Sequence, residues 1–95
     1  MTPRPCINRR VRFNPNADYF KPAGIPMRTL EEVQLTLGEA EAIRLFDVQN
    51  LEQKQCAEKM EVSQPTFSRI LDSSRKKVAD ALINGKAIRI EKWKH

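Results

Sequence analysis

From Thr36 onward the apolar residues recur at helical rather than alternating intervals. Leu37, Ala40, Ile43 and Phe46 mark one side of a first helix. Thr36 and Glu39 stand three apart at its start, the spacing at which a hydroxyl and a carboxylate cap each other's amides in a capping box. Asn50 is the expected left-handed stop. A shorter helix follows from about Glu52 to Met60, with Cys56, Ala57 and Met60 facing inward. Ser63 then caps a third helix, and Pro65 is tolerated in its first turn because that amide has no intrahelical partner. Phe67, Ile70, Leu71, Ser74, Val78, Ala81 and Leu82 form one continuous side of it, and Asn84-Gly85 ends it.

On either side of this helical block the period changes. Ile88 and Ile90 alternate with Arg89 and Glu91, which predicts a strand over about 86–91, and Val11 and Phe13 alternate with Arg10 and Arg12 in a second short strand. Five of the six prolines (Pro3, Pro5, Pro15, Pro22, Pro26) fall within the first 29 residues, so no long helix fits there. The YFKPAGIP stretch, Tyr19 to Pro26, reads as an ordered but irregular loop. The expected fold is mainly α: a three-helix helix-turn-helix domain with short flanking N- and C-terminal β-strands. Its parts are a basic, proline-rich arm over 1–35, the helix-turn-helix over 36–84, and a C-terminal strand with a basic tail over 85–95.

Length and composition narrow the class. A chain of 95 residues and 11.0 kDa allows a single domain, and 40% hydrophobic with 31% charged residues is a globular composition. No apolar run approaches the roughly 20 residues of a membrane span, and no apolar stretch follows the basic N-terminus as in a secretory signal, so the expectation is a cytoplasmic protein away from membranes. Cys6 and Cys56 are too few for a disulfide framework and read as a free thiol and a small buried residue. The net charge of +5 is unevenly spread. Residues 1–35 carry +3, residues 36–62 carry −3, and residues 63–95 carry +5. A polyanion would therefore meet the two basic ends.

A short helix, a three-residue turn and a longer helix with a Ser cap make the helix-turn-helix pattern. Ala57 is the small residue that lets the helices approach, Val62 plugs the turn, and Phe67 and Ile70 pack the second helix on the first. Glu61 stands where a positive φ is needed, at a cost of about 1 kcal/mol. Stepping 100° per residue away from the apolar side leaves Arg69 and Lys76 pointing straight outward, with Pro65, Ser68, Asp72 and Ser73 beside them and Gln64 and Thr66 in the first turn. Such a surface suits a helix whose start enters the major groove while later turns follow phosphate. Arg69 is the candidate to fork onto a guanine and Gln64 to read an adenine; Thr66, Ser68 and Ser73 complete the hydrogen-bonding face, and Arg75, Lys76 and Lys77 neutralise phosphates.

TLGEAEAIRL, QKQCAEKMEVS and PTFSRILDSSRKKVADAL, within Leu35 to Leu82, resemble region four of bacterial sigma factors. The chain as a whole, through NRRVRF, YFKPAGIP, LEEVQLT and NGKAIRIE, resembles a small prokaryotic family, uncharacterised protein family 0251 or domain of unknown function 134. That resemblance implies a DNA-binding role, with Gly in relatives where Glu61 stands here, and some relatives accompany a domain similar to iron-molybdenum cofactor handling proteins.

The expected function is sequence-specific binding of double-stranded DNA by a transcriptional regulator, with the helix over about 64–83 in the major groove. An enzyme is disfavoured because the one histidine is the terminal His95 and no nucleophile–base set or phosphate loop can be assembled. Two thiols fall short of a closed zinc site, so neither metal nor cofactor is expected. The serious rival is a protein-interaction module in which the helix-turn-helix packs on a partner. A homodimer is preferred, its terminal strands pairing within one chain or across a two-fold axis that would also serve a palindromic site.

Overall fold

A computed structural model of the chain describes residues 18–92. Its three helices are α1 (Leu37–Ile43), α2 (Gln53–Met60) and α3 (Gln64–Asn84), and its short strands are β1 (Tyr19–Phe20), β2 (Glu32–Leu35) and β3 (Ala87–Ile90). The expected strand over 10–13 lies outside the described residues.

Local chemistry sets the helix ends. The Thr36 hydroxyl accepts from the Glu39 amide at 3.1 Å while the Glu39 carboxylate accepts from the Thr36 amide at 2.9 Å, the reciprocal capping box. A second carboxylate, that of Glu91 beyond β3, accepts from the Leu37 amide at 3.0 Å. Past Ile43 the first helix widens into a π turn over Arg44–Val48, a departure from the regular helix expected there. Asn50 follows at φ 61°. Ser63 Oγ accepts from the Thr66 amide at 3.3 Å, and α3 ends on Gly85 at φ 68°, with the Lys86 amide returning to the Ala81 carbonyl at 2.9 Å. The α2–α3 turn keeps its left-handed residue. Glu61 sits at φ 59°, ψ 44°, and the Val62 amide donates back to the Ala57 carbonyl at 3.0 Å.

Ala42, Leu45, Cys56, Ala57, Met60, Phe67 and Leu71 form the buried core between the three helices, with Ile43, Phe46, Leu51, Val62 and Ile70 packed around it. Phe46 and Phe67 meet at 6.2 Å between ring centroids, tilted by 56°. One apolar residue departs from expectation: Leu82 is 73% exposed rather than inward. Its neighbour Ala81 is buried, so the covered side of α3 at this level runs through Ala81 and not Leu82.

The sheet has the order β1-β3-β2, with β2 and β3 parallel and β1 antiparallel to β3. Two of its strands were not expected. Tyr19 and Phe20, within the stretch read as loop, pair with Arg89 and Ile88, and Glu32–Leu35, given no element at all, pairs with Ala87–Ile90. The three helices thus form the crossover between two parallel strands, and β3 is flanked on both sides within one chain. Arg89 ties the three strands together: its guanidinium forks onto Glu32 at 3.0 and 3.1 Å and lies 4.6 Å from the Tyr19 ring, whose hydroxyl donates to the same carboxylate. These partners hold the Glu32 carboxyl below its ordinary range, Arg89 first and Tyr19 second.

Candidate nucleic-acid interface

The residues singled out on the third helix divide into two groups in space. Gln64, Arg69 and Lys76 are exposed, and Thr66 and Ser68 half-buried, along the outward side of α3 from its N-terminus to its middle. Ser63 Oγ donates to Thr66 Oγ1 at 2.9 Å, fixing that hydroxyl beside the helix start. Thr66, Arg69, Ile70 and Ser73, with Thr36 and Glu39 opposite, line an open cleft of about 420 Å³ between α3 and the start of α1.

Ser73, Arg75 and Lys77 form the other group, turned towards α1 and its π turn. Lys77 Nζ donates to Glu39 Oε1 at 2.8 Å and to the Gln34 carbonyl at 2.7 Å, and Ser73 Oγ donates to Glu39 Oε2. Burial alone would raise the Glu39 carboxyl, but Lys77, Ser73 and the Thr36 amide outweigh it and hold the group below its ordinary value. Arg75 forks onto Asp47, and its guanidinium lies 5.2 Å from the centre of the Phe46 ring. That carboxylate holds the Arg75 guanidinium above its already high ordinary value.

Charge pairing runs through the rest of the basic C-terminal third. Lys86 reaches Asp80 at 2.9 Å and Glu31 at 3.5 Å, Arg89 is held by Glu32, and Lys92 reaches Asp18 at 3.4 Å. Of the seven basic side chains described from Ser63 onward, Arg69 and Lys76 alone have no hydrogen-bond or ion-pair partner among the described residues. They are the two that helical geometry sends straight outward. Of the carboxylates that hold Arg75 and Lys77, Glu39 is expected from the sequence only as the cap of α1 and Asp47 has no expected role; the signal for both was the −3 of the middle third.

Cys56 is buried against the Leu51 carbonyl, and burial pushes its thiol up, away from the reactive thiolate. No helix among the described residues is long and apolar enough to cross a membrane.

Fold and surface together define a small, mainly helical domain closed by a three-stranded sheet, presenting one polar helix face with two unpartnered cations. The chain belongs to the family described as protein of unknown function DUF134, whose pattern matches residues 1–94. It is 64% identical over 89 residues to a UPF0251 protein of Moorella thermoacetica, covering 94% of this chain and 60% of that relative. A UPF0251 protein of Thermoanaerobacter pseudethanolicus is 62% identical over 94% of this chain and 75% of its own, and one of Halothermothrix orenii 57% over 93% and 65%. The chain thus spans three-fifths to three-quarters of the length of these relatives. No solved structure matches it.

Proposed function

We propose that the protein binds double-stranded DNA sequence-specifically, as a transcriptional regulator whose α3 enters the major groove by its N-terminal half. One observation carries this reading: in a C-terminal third where five of the seven described cations are consumed internally, the two left free share the outward face of α3 with Gln64, Thr66 and Ser68. A face that is merely solvated is the competing reading, since the exposed Asp72 lies beside the two cations, and it predicts no duplex selection. In this reading Arg69 forks onto a guanine edge, Gln64 and Ser68 hydrogen-bond neighbouring bases or phosphate, and Lys76 neutralises phosphate one to two turns further along. Arg75, Lys77 and Ser73 brace the helix against α1 so that the free residues are presented rigidly.

Selection of bound duplexes from a random pool tests the proposal. A preferred sequence should emerge, and log affinity for it should fall steeply and linearly with log salt. Recovery of the pool without enrichment, or affinity indifferent to salt, would reject the reading.

A further inference from the structure

The outward face of α3 holds one side chain of the wrong sign for a polyanion. Asp72 is exposed, and helical stepping places it between Arg69, three residues before it, and Lys76, four residues after it. Side chains at those spacings are neighbours on a helix and can pair. Here they do not. Asp72 has no hydrogen bond or ion pair among the described residues, and it acts on Arg75 only through space, behind the Asp47 carboxylate that holds that guanidinium. The other carboxylate of α3 is employed: Asp80 accepts from Lys86 at 2.9 Å and from the Asn84 side-chain amide at 2.6 Å. Asp72 is to the carboxylates of α3 what Arg69 and Lys76 are to its cations.

We propose that Asp72 sets specificity within this face, its carboxylate accepting from the exocyclic amine of a cytosine on the base pair next to the guanine that Arg69 contacts. The assignment rests on the DNA reading and deepens it. Groove chemistry selects the base. An ionised carboxylate only accepts. In the major groove guanine offers two acceptors, N7 and O6, and thymine an acceptor and a methyl group, so neither can pair with it. Adenine sets its N6 donor beside the N7 acceptor, which opposes the second carboxylate oxygen, whereas cytosine presents its N4 amine with no acceptor on the same base edge.

Spacing selects the base pair. Three residues from Arg69 to Asp72 are about 4.5 Å along the helix, against about 3.4 Å between successive base pairs, so the cytosine adjoins the guanine on the side of Lys76. On DNA that lacks this cytosine the same carboxylate meets only acceptors and phosphate. The repulsion then weakens binding to wrong sequences, which a row of cations alone would hold indiscriminately.

Selection from a random duplex pool, run in parallel on wild type, Asp72→Ala and Asp72→Asn, tests the assignment, with thermal unfolding as the check that each protein folds. Wild type should enrich a guanine adjoined by a C·G pair in one fixed orientation. Asp72→Ala should keep the guanine, lose roughly 5- to 10-fold of preference for the cytosine, and bind random duplex more tightly than wild type. Asp72→Asn, whose amide both donates and accepts, should move the preferred base from cytosine to adenine. A wild-type site without that cytosine overturns the proposal, as does a base preference unchanged in the variants. So does tighter binding of Asp72→Ala to every duplex alike, the behaviour of a carboxylate that is only solvated. In each of these cases the enriched wild-type site leaves the DNA reading standing. A wild type that enriches nothing removes that reading and this assignment with it. Should Asp72→Ala fail to fold, the cytosine-to-adenine change in Asp72→Asn decides.

Discussion

The cations of α3 make two pairs of the same chemistry with different surroundings. Arg75 and Lys77 face α1 and end on Asp47 and Glu39; Arg69 and Lys76 face solvent and end on nothing among the described residues. Counted along the chain, Arg75, Lys76 and Lys77 are one basic run, and a run invites a single role. In three dimensions its middle member turns outward while its neighbours turn back, because successive helical residues are about 100° apart. Basic charge on a helix is thus divided between holding the fold and offering contacts, and the division is decided by carboxylates far away in sequence.

The largest expected effect lies on the bracing side. Glu39→Ala removes half of the α1 capping box and leaves Lys77 and Ser73 facing an emptied, largely buried position, so it should cost about 3 kcal/mol or more in chemical denaturation. The acid limb is a second measure. The folded carboxyl titrates below its ordinary value of 4.5, so its stabilisation is complete above that value and is lost as pH falls through the lower folded value. The gap in stability between wild type and Glu39→Gln should therefore be widest near neutrality and shrink below about pH 4. A gap independent of pH would mean that Lys77 and Glu39 do not act as a charge pair.

Next in size is Arg69→Ala, which tests the offering side. It should lower affinity for the selected duplex roughly 10- to 100-fold, relax the preference at one base position, and leave thermal stability where it was. Loss of stability, or an equal loss on every duplex, would move Arg69 to the bracing group and break the comparison.

Glu61→Gly ranks third and acts between the two. At φ 59° a side chain is strained and glycine is not, so the variant should be more stable by about 1 kcal/mol, with DNA affinity unchanged. Glu61 has further interactions of its own, and a destabilised variant would show that these outweigh the strain.

These elements were not equally legible from sequence. The caps at Thr36 and Ser63, and the left-handed residues Asn50, Glu61 and Gly85, depend on neighbours within a few positions, and each was readable from them. Strand β2 shows only a short alternation, Val33 and Leu35 against Glu32 and Gln34. Four residues of alternation are a weak signal, and their partner β3 lies more than fifty residues away across all three helices. The helical period puts Leu82 on the inward side, but at this end of α3 the buried residue is Ala81, and Leu82, about 100° further round, is exposed. The outward direction of Arg69 and Lys76 followed from geometry alone. That Arg75 and Lys77 are tied down required Asp47, 28 residues distant, and Glu39, 38 residues distant.

The smallest effect is also the sharpest division of the basic run. Lys76→Ala removes one phosphate contact in the proposed complex, so affinity should fall similarly on every duplex and the slope of log affinity against log salt should drop by about 0.9. Arg75→Ala removes a cation already neutralised by Asp47; it releases no counterion on binding and should leave that slope unchanged while loosening the packing against Phe46. Adjacent residues of identical charge would then give different salt slopes. If both variants lower the slope equally, Arg75 leaves Asp47 for phosphate when DNA arrives, and bracing and offering become states of one side chain rather than properties of two.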